Sequence, residues 1–270
     1  MRTVTSALIF CLALLSSQAY AFGADGHRIV SKIAENHFSV KTAVAINAIT
    51  DGQDLAELSL WPDRVRYLPA WEQSKYWHYI SIDDHEPFAG LRRHSDGDVL
   101  SALEYFYADL QNLQLAKKQQ IETLAFFIHF VADIHQPLHV GRRDDRGGNK
   151  IEINWLKMPR ATNLHRVWDS LIIDTENKTP NQYSQMLNRA STAEIAQWQN
   201  SQFLDWARES KALRRQVYNF SPANERRRIR IGPDYISRNK PIIERRLLMA
   251  GIRLADSLNR IFDPEYSGQP

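Results

Sequence analysis

The sequence predicts a mainly α protein, a single-domain multi-helix bundle with a small β-hairpin. Three observations lead there. Apolar residues recur at intervals of three and four through most of the chain, most fully over residues 233–262, where Ile242, Leu247, Leu248, Gly251, Leu254, Leu258 and Ile261 fall near helical spacing. Strand-like patterns are confined to two short pieces, 76–80 and 150–155. No repeat, low-complexity stretch or linker divides the 270 residues, a length that one large core can organise.

Residues 1–21 stand apart from the fold. Arg2 precedes an apolar run over 7–15 and then Ser16-Ser17-Gln18-Ala19-Tyr20-Ala21. A basic start, a short apolar core and an Ala-x-Ala end are the marks of a secretory signal peptide. The run is too short for a permanent membrane anchor. Cleavage after Ala21 would start the mature chain, 22–270, at Phe22 and remove Cys11, the only cysteine. The expected location is secreted or periplasmic, and any metal site must use His, Asp, Glu or backbone donors.

From Phe22 onward the elements follow in order. Ile29, Val30, Ile33, Ala34 and Phe38 predict an amphipathic helix, and 40–49 a second. Asp51-Gly52-Gln53-Asp54 is a turn and cap. A helix is expected over 55–67, with Trp61-Pro62-Asp63-Arg64-Val65-Arg66 in it or at its break. Residues 76–80 are aromatic and β-branched and read as extended; 83–97, with Pro87, Gly90 and Gly97, read as a loop. Helices are expected over 98–116 and 119–136, a charged glycine-rich loop over 142–148, and a hairpin strand over 150–155. Further helices are expected over 163–173, 182–189, 193–217 and 233–262.

The helix over 119–136 carries the chemistry. His129 and Asp133 are four apart and share one face, while Phe126, Phe127, Ile128, Phe130, Val131 and Ile134 make the helix apolar on almost every side. A buried His and Asp must both be satisfied, because burying an unpaired charge is costly. Pro137 ends or bends the helix, and His139 follows it. A divalent metal would satisfy all three residues; a His–Asp hydrogen bond in the core would satisfy two of them.

His165 and Asp169 repeat the i, i+4 spacing, and His27, His78 and Asp63 add donors. Each has an ordinary explanation alone: a turn residue for His27, a packed ring for His78, an ion-pair partner of Arg66 for Asp63. His165 and Asp169 could be a helical pair worth about 0.5 kcal/mol or less. His37, His85, His94 and His135 stay in that ordinary class. The combination is what points to metal. Imidazole with carboxylate suits zinc, and a donor set without thiolates points to catalytic rather than structural zinc. The formal net charge of +3 is too small to indicate a nucleic-acid partner by itself.

These residues also carry a resemblance. Gly26-His27, Trp61-Pro62-Asp63-x-x-Arg66, Trp77-His78-Tyr79-Ile80, His129-Phe130-x-x-Asp133-x-x-Gln136-Pro137-Leu138-His139, Gly147-Gly148-Asn149 and Asn163-Leu164-His165-x-x-Trp168-Asp169 follow one another in this order. In this the chain resembles the type I single-strand-specific zinc nucleases, the S1/P1 family, whose helical fold is related to that of zinc phospholipase C. The resemblance implies three Zn2+ ions. One would be held by Asp63, His78, His129 and Asp133. A second would take His27, Asp133 as a bridge, and the α-amino nitrogen and carbonyl oxygen of Phe22. The third would take His139, His165 and Asp169.

It further implies hydrolysis of single-stranded DNA and RNA to 5′-phosphates, removal of phosphate from 3′-nucleotides, and a monomeric enzyme. Arg66 would donate to the phosphate, Asp63 would orient the nucleophile, and Tyr79 would stack on a base. Two positions depart from the family: Phe22 stands where Trp is usual, and Ser81 where fungal members have a base-reading Asp. Base discrimination is therefore expected to be weak, with Asn149 as the remaining candidate contact. The alternatives are a zinc phospholipase C and a zinc-binding protein without turnover. Arg66 and the Gly-Gly-Asn motif favour nucleic acid.

Overall fold

The computed structural model describes residues 22–112, 114–156, 158–220 and 229–268. The expected signal peptide, with Cys11 and the Ala21 cleavage point, lies outside the described residues. In chain order the helices are α1 (Gly23–Glu35), α2 (Val40–Thr50), α3 (Leu55–Leu58), α4 (Trp61–Val65), α5 (Val99–Leu110), α6 (Lys117–His135), α7 (Leu164–Arg166), α8 (Ile172–Asp174), α9 (Pro180–Leu187), α10 (Thr192–Gln199), α11 (Phe203–Val217) and α12 (Pro233–Phe262). The strands are short: β1 (Ile80–Ser81), β2 (Val140–Gly141), β3 (Glu152–Trp155), β4 (Thr162–Asn163) and β5 (Ile229–Ile231). The protein is mainly α, as the periodicity predicts.

Helix α6 is the axis of the bundle. Every residue from Thr123 to His135 is buried, and α1, α2, α4, α5, α11 and α12 all pack against it. Phe126 stacks on Phe106 of α5 at 4.8 Å and meets Trp61, Trp71 and Trp77 edge-on or tilted at 5.0–5.7 Å. These offset aromatic contacts add to the burial of large rings.

The C-terminal end of α6 is tied down by a buried ionic network. Arg246 donates Nε to the His135 carbonyl at 3.0 Å, and Ser210 donates its hydroxyl to the Ile134 carbonyl at 2.5 Å. Arg246 and Arg253 share Glu209 at 2.5–2.8 Å, and Arg253 donates to His135 Nε2 at 3.0 Å. A cation at the last carbonyls of a helix is favourable. His135 donates Nδ1 to the Val131 carbonyl at 2.7 Å. Burial and the charges of Arg246 and Arg253 hold its pKa well below the ordinary imidazole value. His135 is thus a neutral structural residue, in keeping with its ordinary reading.

Several expected boundaries differ. The 55–67 helix is two short helices, because Pro62 lacks an N–H and starts a new one at α4. The 98–116 helix ends at Leu110, and Ala116 already caps α6, its N–H donating to the Gln119 side chain at 3.2 Å. The 193–217 helix is α10 and α11, the second opened by Asp205 accepting from the Gln202 N–H at 3.1 Å. In the 76–80 segment only Ile80 is extended; with Ser81 it pairs parallel with Val140 and Gly141. Trp77 instead closes a turn onto the Ser74 carbonyl and packs on Phe106 and Phe126. The 163–173 helix is interrupted by a π-helical turn, Val167–Leu171. The hairpin is present as antiparallel β3 and β4, and β5 joins β3 in parallel as a third strand.

The long helix α12 runs over the predicted residues and packs most extensively on α1. Gly251 makes this possible. A Cβ there would lie 2.5 Å from Ile33 Cβ and 3.1 Å from the Val30 carbonyl oxygen. Two backbones in such close contact carry α1, and with it His27, up to α6.

Gly251→Ala gives this contact a test. Helix propensity alone would stabilise the variant by about 1 kcal/mol. Overpacking against a rigid Cβ should outweigh that gain and lower stability by about 1–3 kcal/mol. Denaturant midpoints decide; a more stable variant would mean that the α1–α12 contact is not tight.

Candidate metal centre

Three groups of buried His and Asp side chains come together beside α6: His27, His129 and Asp133; Asp63, His78 and His129; and His139, His165 and Asp169. All eight side chains expected to bind metal are in these groups. The elements that present them come from distant parts of the chain. His27 is on α1, Asp63 on α4, His129 and Asp133 on α6, and His78 just ahead of β1. His139 ends the turn that follows α6, and His165 and Asp169 sit on α7 and the π-helical turn.

The donor atoms are crowded. His78 Nδ1 and His129 Nε2 are 2.9 Å apart, and both approach Asp133 Oδ2, at 3.0 and 3.3 Å. Asp63 Oδ1 lies 3.9 Å from each of these two nitrogens. His27 Nε2 is 3.5 Å from Asp133 Oδ1, and its ring stacks on His129 with centroids 3.8 Å apart. In the third group, His165 Nε2 is 3.3 Å from Asp169 Oδ2 and His139 Nε2 is 3.7 Å from Asp169 Oδ1.

Outer hydrogen bonds fix which atom each ring points inward. A backbone carbonyl only accepts, so the nitrogen beside it carries the proton. His129 donates Nδ1 to the Ser59 carbonyl at 2.7 Å, His139 to the His78 carbonyl at 2.6 Å, and His165 to the Gly147 carbonyl at 2.7 Å. In each neutral ring this leaves Nε2 as a lone pair facing the cluster, the usual second contact of a metal-binding histidine. Gln136 donates to Asp169 Oδ1 at 2.6 Å. Among the described residues, both ring nitrogens of His27, Asp133 Oδ1, His139 Nε2 and Asp169 Oδ2 are buried without a hydrogen-bond partner. Unpaired buried lone pairs in such number are costly unless a cation takes them. The donor set therefore fits bound metal.

The scaffold of these carbonyls explains local sequence choices. The break between α3 and α4 frees the Ser59 carbonyl for His129. Gly147 has φ +61°, and a Cβ on it would lie 2.4 Å from the Leu138 carbonyl oxygen. Only glycine fits there, and its own carbonyl then holds His165. Gly23, at the start of α1, faces the Asp169 carbonyl and Ser170 closely enough that a Cβ would lie 3.0 Å from the former. Phe22 is fully buried next to it.

Without a cation the cluster carries a strained charge pattern. Burial opposes charge on His139, but Asp133 and Asp169 override it and raise its pKa to about 9. His129 is raised against burial by Asp133 and Asp63. Burial and the neighbouring His129 push His27 well below its ordinary value. Burial likewise lowers His78 and His165. Asp133 is held well below the usual carboxylate range: burial opposes this, but the imidazoles of His129 and His139 prevail.

The groups open on a cleft of about 820 Å³. Arg66, Tyr79, Ser81 and Asn149, the expected substrate contacts, all line it together with His78, His139 and His165. Arg66 Nη1 lies 2.9 Å from Asp63 Oδ1. Tyr79 is 40% exposed, so its ring is not part of the core. Ser81 accepts through its carbonyl from Arg143, and Asn149 donates Nδ2 to the Arg146 carbonyl at 2.9 Å. Lys75, Arg92, Arg93, Arg143 and Arg146 also line the cleft. The sequence reading missed them, because single arginines in polar loops look like solvated surface until the fold turns them to one side.

Metal-free protein should show the His139 charge as a pH-dependent stability. Its folded pKa is about 9 against an ordinary 6.5. The contribution is therefore complete below pH 6.5 and is lost as the pH rises through 9. Urea midpoints of chelated wild type and His139→Gln across this window are the check. The wild type should lose stability relative to the variant as pH rises; parallel curves would exclude the effect.

Comparison with known proteins adds a family to this geometry. The family model described as S1/P1 Nuclease matches residues 22–263. The chain is 32% identical to Endonuclease 4 of Arabidopsis thaliana, covering 97% of each chain. It is 30% identical to Nuclease S1 of Aspergillus oryzae over 58% of this chain and 56% of the other. With Nuclease P1 of Penicillium citrinum it shares 25% identity over 91% of this chain and 100% of the other. With a family match that spans nearly all the described residues and a cleft floored by buried His/Asp groups able to hold metal, the chain belongs to the S1/P1 nuclease family.

Proposed function

We propose that the protein is an exported, monomeric, zinc-dependent endonuclease. It hydrolyses phosphodiester bonds of single-stranded DNA and RNA to 5′-phosphorylated products, and it removes phosphate from 3′-nucleotides. The observation that carries this reading is the convergence of eight buried His and Asp side chains, with orphaned lone pairs, at the foot of a cleft lined by cations. Three Zn2+ ions would take these donors. Asp63, His78, His129 and Asp133 would hold one, and His139, His165 and Asp169 another. His27 and Asp133 would hold the third together with the amine and carbonyl of Phe22, freed by signal-peptide cleavage after Ala21. Bound zinc would supply Lewis acidity toward phosphate oxygens and acidify water enough to serve as a nucleophile near neutral pH.

The chain's own groups do the positioning. Asp63, 2.9 Å from Arg66, anchors the guanidinium beside the cluster, where it can donate two N–H groups to phosphate oxygens as their charge grows. The other Asp63 contacts face the metal donors, so the same carboxylate orients the attacking group. Tyr79, exposed in the cleft, offers a face on which any base can stack. Ser81 cannot accept two base N–H groups as a carboxylate does, which supports broad base tolerance, with Asn149 as a second polar contact. The arginines and lysine around the opening suit a polyanion better than an apolar lipid tail, which disfavours the phospholipase alternative. Among the described residues no helix is long and apolar enough to cross a membrane. Metal counting together with release of acid-soluble nucleotides from single-stranded DNA, before and after chelation, tests the whole reading; full turnover without metal would end it.

Arg66→Ala should keep its zinc content and lose turnover by about a hundredfold, the usual cost of a transition-state donor. Steady-state kinetics with metal analysis are the check, and unchanged kcat would take Arg66 out of the mechanism. The N-terminus offers a sharper test. A residue added ahead of Phe22 displaces the amine, so protein made with such an extension should bind fewer zinc ions and cut more slowly than protein cleaved after Ala21. Mass spectrometry of the termini with metal counting compares the two; equal zinc and equal rate would mean that the amine is no ligand.

A further inference from the structure

A second basic pocket, of about 520 Å³, lies beside the metal cleft. Arg142, Arg208, Lys211, Arg214 and Arg215 line it, with Asp84 as its single carboxylate. The two cavities have no lining residue in common, but neighbours in the chain line them: Gly141 and Arg143 the metal cleft, and Arg142 between them this pocket. Nothing in the chemistry proposed for the metal groups uses it.

Arg208 is paired with Asp205 outside the pocket at 2.9 Å, and Lys211 donates Nζ to the Glu86 carbonyl at 2.5 Å; the shortage of negative charge falls on Arg142 and Arg214. Arg142 and Arg214 both turn to Asp84, each at 2.7 Å. Arg214 is only 2% exposed. Its Nη1 donates to the Ile82 and Val140 carbonyls at 2.6 and 3.1 Å, while its buried Nε has no hydrogen-bond partner among the described residues. A buried guanidinium that shares one half-exposed carboxylate with a second arginine is short of negative charge. Burial and the charge of Arg214 hold the Lys211 pKa below its ordinary value, a sign of the same crowding. Rings are interleaved with the cations. The Arg142 guanidinium lies 4.0 Å over Tyr218, and Arg208 and Lys211 lie 5.7 and 5.5 Å from the Phe88 ring. Cations held over aromatic faces form a positioned cationic surface, to which the phosphates of a single nucleic-acid strand can bind.

We propose that this pocket is a second phosphate site, which holds a phosphodiester of the single-stranded substrate away from the one at the metal groups. The inference rests on the nuclease reading above. With Arg142 on one cavity and Gly141 and Arg143 on the other, one flexible strand can occupy both, so the pocket favours long substrates over short ones and makes cleavage of long strands more sensitive to salt.

The test compares metal-loaded wild type with a triple variant, Arg208→Ser, Lys211→Ser and Arg215→Ser, on a 20-nucleotide single strand and on a dinucleotide. These three side chains are at the rim and leave Arg214 and the core in place. The variant should raise KM for the long strand about tenfold and leave dinucleotide turnover within about twofold. Its slope of log(kcat/KM) against log[salt] should flatten by about 2, at roughly 0.7 per lost phosphate contact. The charge-conserving variant, Arg208→Lys, Lys211→Arg and Arg215→Lys, should restore the long-strand KM. Equal effects on both substrates, or none on either, would overturn the proposal while leaving the nuclease reading intact. A change in inorganic phosphate affinity without a change in length dependence would assign the pocket to a free anion and overturn it too. If wild type cleaves neither substrate, the nuclease reading falls and the proposal falls with it.

Discussion

Five histidines and three aspartates are buried around one point with their lone pairs turned toward one another. The rest of the structure answers that constraint. Left to itself the cluster is unfavourable, because polar atoms without partners and crowded imidazoles are buried together. The opposing pKa directions of His27 and His139 express that conflict: one ring is forced neutral and the other is held charged by carboxylates. A cation resolves both at once, and metal-binding energy then becomes folding energy.

Holding such a cluster open requires rigidity from outside it. Behind α6, the Arg246–Arg253–Glu209 network fixes the helix end from which Gln136 and His139 depart. On the other side, the glycine contact of α12 with α1 brings His27 into place. Nearest the donors, three backbone carbonyls set the ring orientations: Ser59 at a helix break, His78 before a two-residue strand, and Gly147 in a left-handed turn. All three carbonyls belong to irregular backbone. A carbonyl inside a regular helix is already occupied, so irregular segments are where such acceptors can be found.

Charge is sorted around the centre in the same way. The donors are acidic and neutral, and the cleft walls are basic, with Lys75, Arg92, Arg93, Arg143 and Arg146 around Arg66. The formal net charge of only +3 hides this segregation. A polyanion is drawn to the walls while a cation is drawn to the floor, and the two attractions do not compete.

How much of this was legible in the sequence follows from how local each signal is. The helical period of α6 and α12, the i, i+4 pairs His129/Asp133 and His165/Asp169, and the motif order that marked the family are short-range patterns, and the fold class and all eight side-chain donors were read from them. The breaks in 55–67 and 193–217 carry local marks, Pro62 and the Gln202–Asp205 cap, which the apolar periodicity runs across; the third strand β5 was not legible, because it depends on a partner far away in the chain. The basic residues of the cleft wall were invisible for the same reason. By itself, then, the sequence marked candidate metal donors, since donor chemistry, helix spacing and short motifs are local properties. Only the tertiary structure decided that His27 and His129 stack, that Asp133 lies within reach of four histidines, and that scattered arginines face one cleft, since those facts are distances between segments that only packing brings together.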